Sequence, residues 1–109
     1  MDLAADVYWL TRSWPKEELY GLSSQARRTA AAVPANIAEG YGRQSTASYA
    51  QFLKFARGSL KELEIHLLLA ERVDLAAPGS CERLLDQADE LGKMLGSLIR
   101  SLGRPKARE

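Results

Sequence analysis

One cysteine, Cys81, and one histidine, His66, are the only thiol and imidazole the chain offers. A lone thiol forms no internal disulfide, and the two residues together fall short of the three or four ligands a metal site needs, so no metal or cofactor is expected. Valine, isoleucine and threonine occur three times each, whereas alanine and leucine dominate, which favours helix over strand. No apolar run nears the roughly 18 residues of a membrane span. The opening MDLAADVYWLTR is acidic and its apolar part is too short for a signal peptide, so a cytoplasmic protein with no membrane partner is expected. Aromatic residues make up 7% and are scattered, which leaves no platform on which bases would stack. What remains is ordinary for a globular protein: 109 residues, 46% hydrophobic and 27% charged, enough for a single core.

Periodicity divides the chain into four helices. Leu3, Val7 and Leu10 keep helical spacing from Asp2 to about Ser13, where Trp14-Pro15 ends the helix because the residue before proline is pushed out of the α region. Pro15-Lys16-Glu17-Glu18 reads as a separate helical turn that breaks at Tyr20-Gly21. Ser23 is the expected N-cap of the second helix, whose apolar positions Ala26, Ala30, Val33 and Ile37 reach about Glu39; Pro34 should bend it or restart it near Ala30. Ser45 should cap a third helix from about Thr46 to Arg72, with Tyr49, Phe52, Leu53, Ala56, Leu60, Leu63, Leu67 and Ala70 on one face. Ser80 should open a fourth, where Leu84, Ala88, Leu91, Leu95, Leu98 and Leu102 form a bundle seam. Residues 103–109 read as a basic, frayed tail. Four helices joined by short connections predict an all-α antiparallel up-down four-helix bundle over residues 1–102.

The third helix carries more apolar surface than one bundle can bury. At about 100° per residue, Ile65, Leu68 and Leu69 fall opposite the core row that holds Leu63, Leu67 and Ala70. Such a face predicts contact with a second copy of the chain. Toward its N-terminal half the same face holds Lys54, Arg57, Gly58 and Lys61, available to an anion or paired with Glu62 and Glu64. Gly58-Ser59 in mid-helix costs helix propensity, which close packing against the alanines of the second helix would offset. On that second helix Gln25, Thr29, Ala32 and Asn36 make a small polar row suited to interhelical hydrogen bonds, while Arg27 and Arg28 lie to the other side with Glu39 about three turns from Arg28. Charge is segregated: a total of +1 hides −2 over residues 1–24, +5 over 25–61, −6 over 62–90 and +4 over 91–109.

The stretch NIAEGYGR, residues 36–43, is the one place that invites a site reading. A phosphate loop needs its glycines before a helix, and these follow one. Gly40 is instead suited to a left-handed C-terminal position, and Gly42 to the turn before Ser45. Catalysis finds no machinery: Ser23, Ser24, Ser59 and Ser80 have only His66 as a base, and Glu62 and Glu64, two apart on a helix, do not face each other. No enzymatic activity is expected.

Three segments carry a family resemblance. Residues 20–28 (YGLSSQARR), 36–40 (NIAEG) and 52–64 (FLKFARGSLKELE) resemble, in this order, the signature of the bacterial four-helix-bundle proteins known from intervening sequences of large-subunit ribosomal RNA genes. The accessory variability protein of diversity-generating retroelements is a related bundle. The resemblance spans roughly Ala4 to Leu102. It implies a homopentameric barrel with a basic surface for structured RNA or RNA-DNA hybrids, and no reaction. Its basic positions fall here on Arg27, Arg28, Arg43, Lys54, Arg57 and Lys61. Trp14-Pro15 stands where the family often has Phe-Pro, Thr29 where alanine is frequent, and Ala32 where serine is frequent, differences that touch packing more than charge. Two functions are therefore expected as alternatives. One is a ring or barrel oligomer, with Ile65, Leu68, Leu69 and Gly58 at its interface, that binds RNA in preference to DNA. The other is a scaffold that recruits a protein partner through the third helix without nucleic acid.

Overall fold

The computed structural model describes residues 2–15 and 21–103. The helical turn expected beyond Pro15 and the basic tail after Gly103 lie outside these residues. Among the described residues there are four helices and no strand: α1 Asp2–Thr11, α2 Leu22–Tyr41, α3 Thr46–Arg72 and α4 Glu82–Gly103. None is long and apolar enough to cross a membrane.

Side-chain contacts fix the directions. Leu3 and Ala4 line one groove with Val33 and Ile37, whereas Thr11 meets Arg27, so α1 and α2 run antiparallel. Thr29 meets His66 while Gly40 abuts Phe52, which sets α2 against α3 in the same sense. Arg57 lies over Gly96 and Glu71 reaches Cys81, which does so for α3 and α4. Each helix packs on its chain neighbours and α1 also packs on α4, closing the circuit with α1 diagonal to α3. The result is an up-down four-helix bundle 57 Å long and about 20 Å across.

The core follows the apolar rows. Val7, Trp14, Leu22, Ala26, Ala30, Leu63 and Leu67 bury together at one end, and Val33, Leu53, Ala56, Leu60, Ala88 and Leu95 at the other. The fourth helix departs from its expected seam: Leu98 is exposed, and Ile99 packs on the core in its place.

Helix boundaries show where local chemistry decides. Ser45 caps α3 as expected, its hydroxyl accepting from the Ser48 N–H at 3.0 Å. At the other end Asp74 adopts φ 62°, a left-handed conformation that aspartate tolerates, and the N–H groups of Leu75 and Ala76 close on the Ala70 carbonyl. The remaining boundaries correct the sequence reading. The first helix ends at Thr11 rather than Ser13, with the Thr11 and Ser13 hydroxyls bonded back to the carbonyls of Val7 and Leu10. Ser23 is not the cap of α2: the cap position is two residues earlier, at Gly21 in a left-handed conformation at φ 64°, and the helix starts at Leu22. Pro34 does not restart that helix, which is continuous from Leu22 to Tyr41. Ser80 does not open α4 either. The Cys81 N–H donates to the Glu71 carboxylate at 2.9 Å, so an acid from the end of α3 occupies the place of a cap, and α4 begins at Glu82.

Gly40 is the sharpest correction. It lies inside α2, buried, with no positive φ, and so does not terminate the helix. A Cβ at this position would stand 2.7 Å from the Phe52 Cβ and 3.1 Å from the Tyr49 ring. The glycine lets α2 and α3 approach where a side chain has no room. Gly58 is the reverse. It is exposed and a Cβ there would meet nothing, so it does not pack against the alanines of α2.

Candidate nucleic-acid interface

The six basic residues singled out from sequence do not form one patch. Arg27 turns toward α1: its Nε donates to the Thr11 hydroxyl at 2.7 Å and its guanidinium sits 4.5 Å from the Tyr8 ring centroid. It fastens the short first helix to the second. Its neighbour Arg28 lies to the other side, exposed, at the rim of a hollow between α2 and α3 shared with Gln25, Ala32, Ser59, Glu62 and His66. In that hollow the Thr29 hydroxyl donates to the Gln25 carbonyl at 2.8 Å. With its one hydrogen spent, the hydroxyl oxygen is left to accept from His66 Nδ1, 3.4 Å away. The polar row of α2 therefore makes an interhelical contact through Thr29, whereas Asn36 bonds back to the Ala32 carbonyl of its own helix.

Arg43 stays at the α2–α3 turn. It pairs with Glu39 at 2.8 Å and lies over the Phe52 ring at 4.8 Å, so Glu39 serves Arg43 and not the more distant Arg28. Lys54 projects from the exposed outer face of α3.

Arg57 and Lys61 are brought together, and with two residues that the sequence alone does not single out. A groove of about 300 Å³ runs between α3 and α4, walled by Arg57, Lys61 and Glu64 on one side and by Asp89, Lys93 and Arg100 on the other. Between these walls it is lined by the buried Leu60 and Ala88 and by Gly92 and Gly96, the two glycines one turn apart. The Nη1 atoms of Arg100 and Arg57 stand 3.5 and 3.8 Å from where a Gly96 Cβ would be, so two guanidinium groups from different helices converge over one bare turn of backbone. The lysines are partly answered within their own helices, Lys61 by Glu64 at 3.5 Å and Lys93 by Asp89 at 3.2 Å. Among the described residues neither arginine has an ion-pair partner. Two planar forks over a shallow floor, with net charge +2 along the groove, fit a phosphate backbone and carry no means of reading bases. Lys93 and Arg100 are legible in the sequence only as part of the basic final block; that they face Arg57 and Lys61 follows from the antiparallel pairing of α3 and α4.

The outer face of α3 is as apolar as its sequence predicts. Ile65 is 62%, Leu68 55% and Leu69 39% exposed, and Gly58 lies on the same side. No cluster of side chains suited to a metal ion occurs among the described residues.

Fold and groove together define a helical bundle with a cationic furrow between its third and fourth helices. Comparison with known proteins gives the family: residues 1–97 match the 23S rRNA-intervening sequence protein family, and the chain belongs to it. A crystal structure of a protein with unknown function from the S23 ribosomal protein family of Bacteroides thetaiotaomicron is similar, with 26% sequence identity and a TM-score of 0.79 over 90% of this chain and 92% of that one. No curated protein matches.

Proposed function

We propose that this protein is a non-enzymatic, cytoplasmic oligomer that binds structured RNA, or an RNA-DNA hybrid, through phosphate contacts. The observation that carries the proposal is the convergence of Arg57 and Arg100 over Gly96, flanked by Lys61 and Lys93. Glu64 and Asp89 answer the two lysines, but among the described residues no acid pairs with either arginine, and two like charges so placed are costly unless an anion is shared. The family's description, which ties it to 23S rRNA intervening sequences, makes RNA the first anion to try. Lys54 and Arg28 are exposed but lie outside the groove, Arg28 in the hollow between α2 and α3, whereas Arg27 and Arg43 are engaged within the chain. A homopentamer is the assembly that the family resemblance implies, and the exposed face of α3 supplies an apolar surface for it.

Replacing Arg57 and Arg100 together by alanine tests the proposal. The double variant should bind a ribosomal RNA hairpin more weakly, and its log-log salt slope should flatten by about 0.7–0.9 for each phosphate that the variant no longer neutralises. An affinity and slope equal to the wild type would rule out the groove as the binding surface.

The exposure of Ile65 and Leu68 favours a second reading, a scaffold that docks a protein partner on α3. Salt separates the two, because phosphate binding weakens steeply with ionic strength and apolar docking does not.

A further inference from the structure

The groove between α3 and α4 is not evenly charged along its length. Because the two helices run antiparallel, Arg57, Lys61 and Glu64 follow one another along α3 while Arg100, Lys93 and Asp89 follow one another back along α4. The arginines therefore face each other at one end, the lysines stand between, and the acids occupy the other end. Glu64 lies seven residues beyond Arg57, a rise of about 10 Å. Lys61 is 3.5 Å from Glu64 and Lys93 is 3.2 Å from Asp89, so lysines and acids answer each other. Among the described residues no acid pairs with either arginine, which gathers the net charge of +2 at the arginine end.

That end carries two marks of its ligand. The first is convergence. The Nη1 atoms of Arg100 and Arg57 stand 3.5 and 3.8 Å from a single point, the place that a Gly96 Cβ would take and that glycine leaves bare. Forks that meet at one point can share the oxygens of one phosphate group. A phosphate inside an RNA strand bears one negative charge, whereas a phosphate monoester bears about −1.5 to −2 near pH 7. Two arginines at one spot match the monoester. The second mark is how the groove closes. A strand threaded through it would carry its next phosphates past Glu64 and Asp89, where the cations are already answered and the carboxylates repel it. A strand that ends at the arginines and leaves on their side meets no acid in the groove. Size agrees, since about 300 Å³ is at the small end of ligand sites and takes one terminal unit rather than a run of strand.

We infer that Arg57 and Arg100 hold the terminal phosphate of an RNA strand, a phosphate monoester, in preference to the diester phosphates within it. The inference rests on the RNA-binding role proposed above and specifies which part of the RNA the groove takes. Recognition is by charge and fork geometry, with no bond made or broken. A phosphate at either the 5′ or the 3′ end has the chemistry required.

Fluorescence anisotropy with one ribosomal RNA hairpin, labelled in its loop and prepared in three forms, tests the inference. The forms carry a 5′-phosphate, a 3′-phosphate, or hydroxyls at both ends. The wild-type protein should bind at least one phosphate-ended form about tenfold more tightly than the hydroxyl form. Arg57→Ala with Arg100→Ala should bind all three alike. As a second route, Gly96→Asp sets a carboxylate within reach of both forks, and should abolish the preference by occupying their meeting point. A Cβ at this position is in ordinary contact with the two arginine tips alone, so that variant should keep the wild-type helical circular dichroism. Equal binding of the three forms by the wild type, weakened in the alanine variant, overturns the terminal-phosphate site and leaves RNA binding in the groove standing. A preference that survives either variant places the terminal phosphate on another surface and overturns the inference as well. Binding of none of the forms at low salt overturns the proposed function itself.

Discussion

Gly40 and Gly58 are the same residue in opposite circumstances, and substitution should separate them by sign. An alanine at position 40 would press its Cβ on the Phe52 Cβ, the root of a side chain that cannot swing away, so α2 and α3 must part. Overpacking of this kind costs about 1–3 kcal/mol, more than the roughly 1 kcal/mol that alanine returns in helix propensity, and Gly40→Ala should lower the denaturation midpoint. Gly58→Ala meets open space and should raise it, through about 0.5–1 kcal/mol of added stability. At the α3–α4 turn, burial pushes the Cys81 thiol up to about 11, so the native protein at pH 7 holds almost no thiolate. Its alkylation should be slow until denaturant is added; rapid labelling of the folded chain would contradict the burial. Glu71 beside it is held below the usual glutamate range, first by the Cys81 N–H and then by that of Gly79. A depressed carboxyl adds stability above its unfolded pKa and loses it as pH falls through the folded one. Glu71→Gln should therefore reduce stability at pH 7, and the difference from wild type should shrink on acidification below about pH 4.

At the scale of the element, α1 is the least secured helix and Arg27 is its fastening. Arg27→Ala removes a hydrogen bond to Thr11 and a cation-π contact with Tyr8, together worth about 1–2 kcal/mol. Chemical denaturation should register that loss, while RNA affinity should fall less than in the Arg57 and Arg100 double variant. What the sequence made legible was decided by the same kind of local chemistry. The bounds of α3 could be read because a serine hydroxyl and a left-handed aspartate act within four residues of their own backbone. The start of α4 could not, because its capping carboxylate comes from Glu71, ten residues away. The role of Gly40 was hidden for a similar reason, since it depends on Phe52 across the bundle. Arg57 and Lys61 were visible as basic positions on one face, but their partners Lys93 and Arg100 emerge only when α3 and α4 are laid antiparallel.

For the whole molecule, charge segregation along the chain becomes segregation in space. The groove between α3 and α4 gathers bases from two blocks, and the outer row of α4 gathers acids. A near-neutral protein can thus present a local cationic field to a polyanion. Shape and phosphate spacing would select the ligand, since exposed aromatics are too few to stack successive bases. The measurement that tests this most directly is fluorescence anisotropy of the wild-type protein with a ribosomal RNA hairpin and a matched DNA duplex, across a salt series. We predict binding that favours the RNA and falls steeply with salt, with a log-log slope of about −3 or beyond, as four or more neutralised phosphates would give. Absence of binding to either at low salt, or an affinity indifferent to salt, would contradict an electrostatic role and leave the exposed face of α3, with a protein partner, as the functional surface.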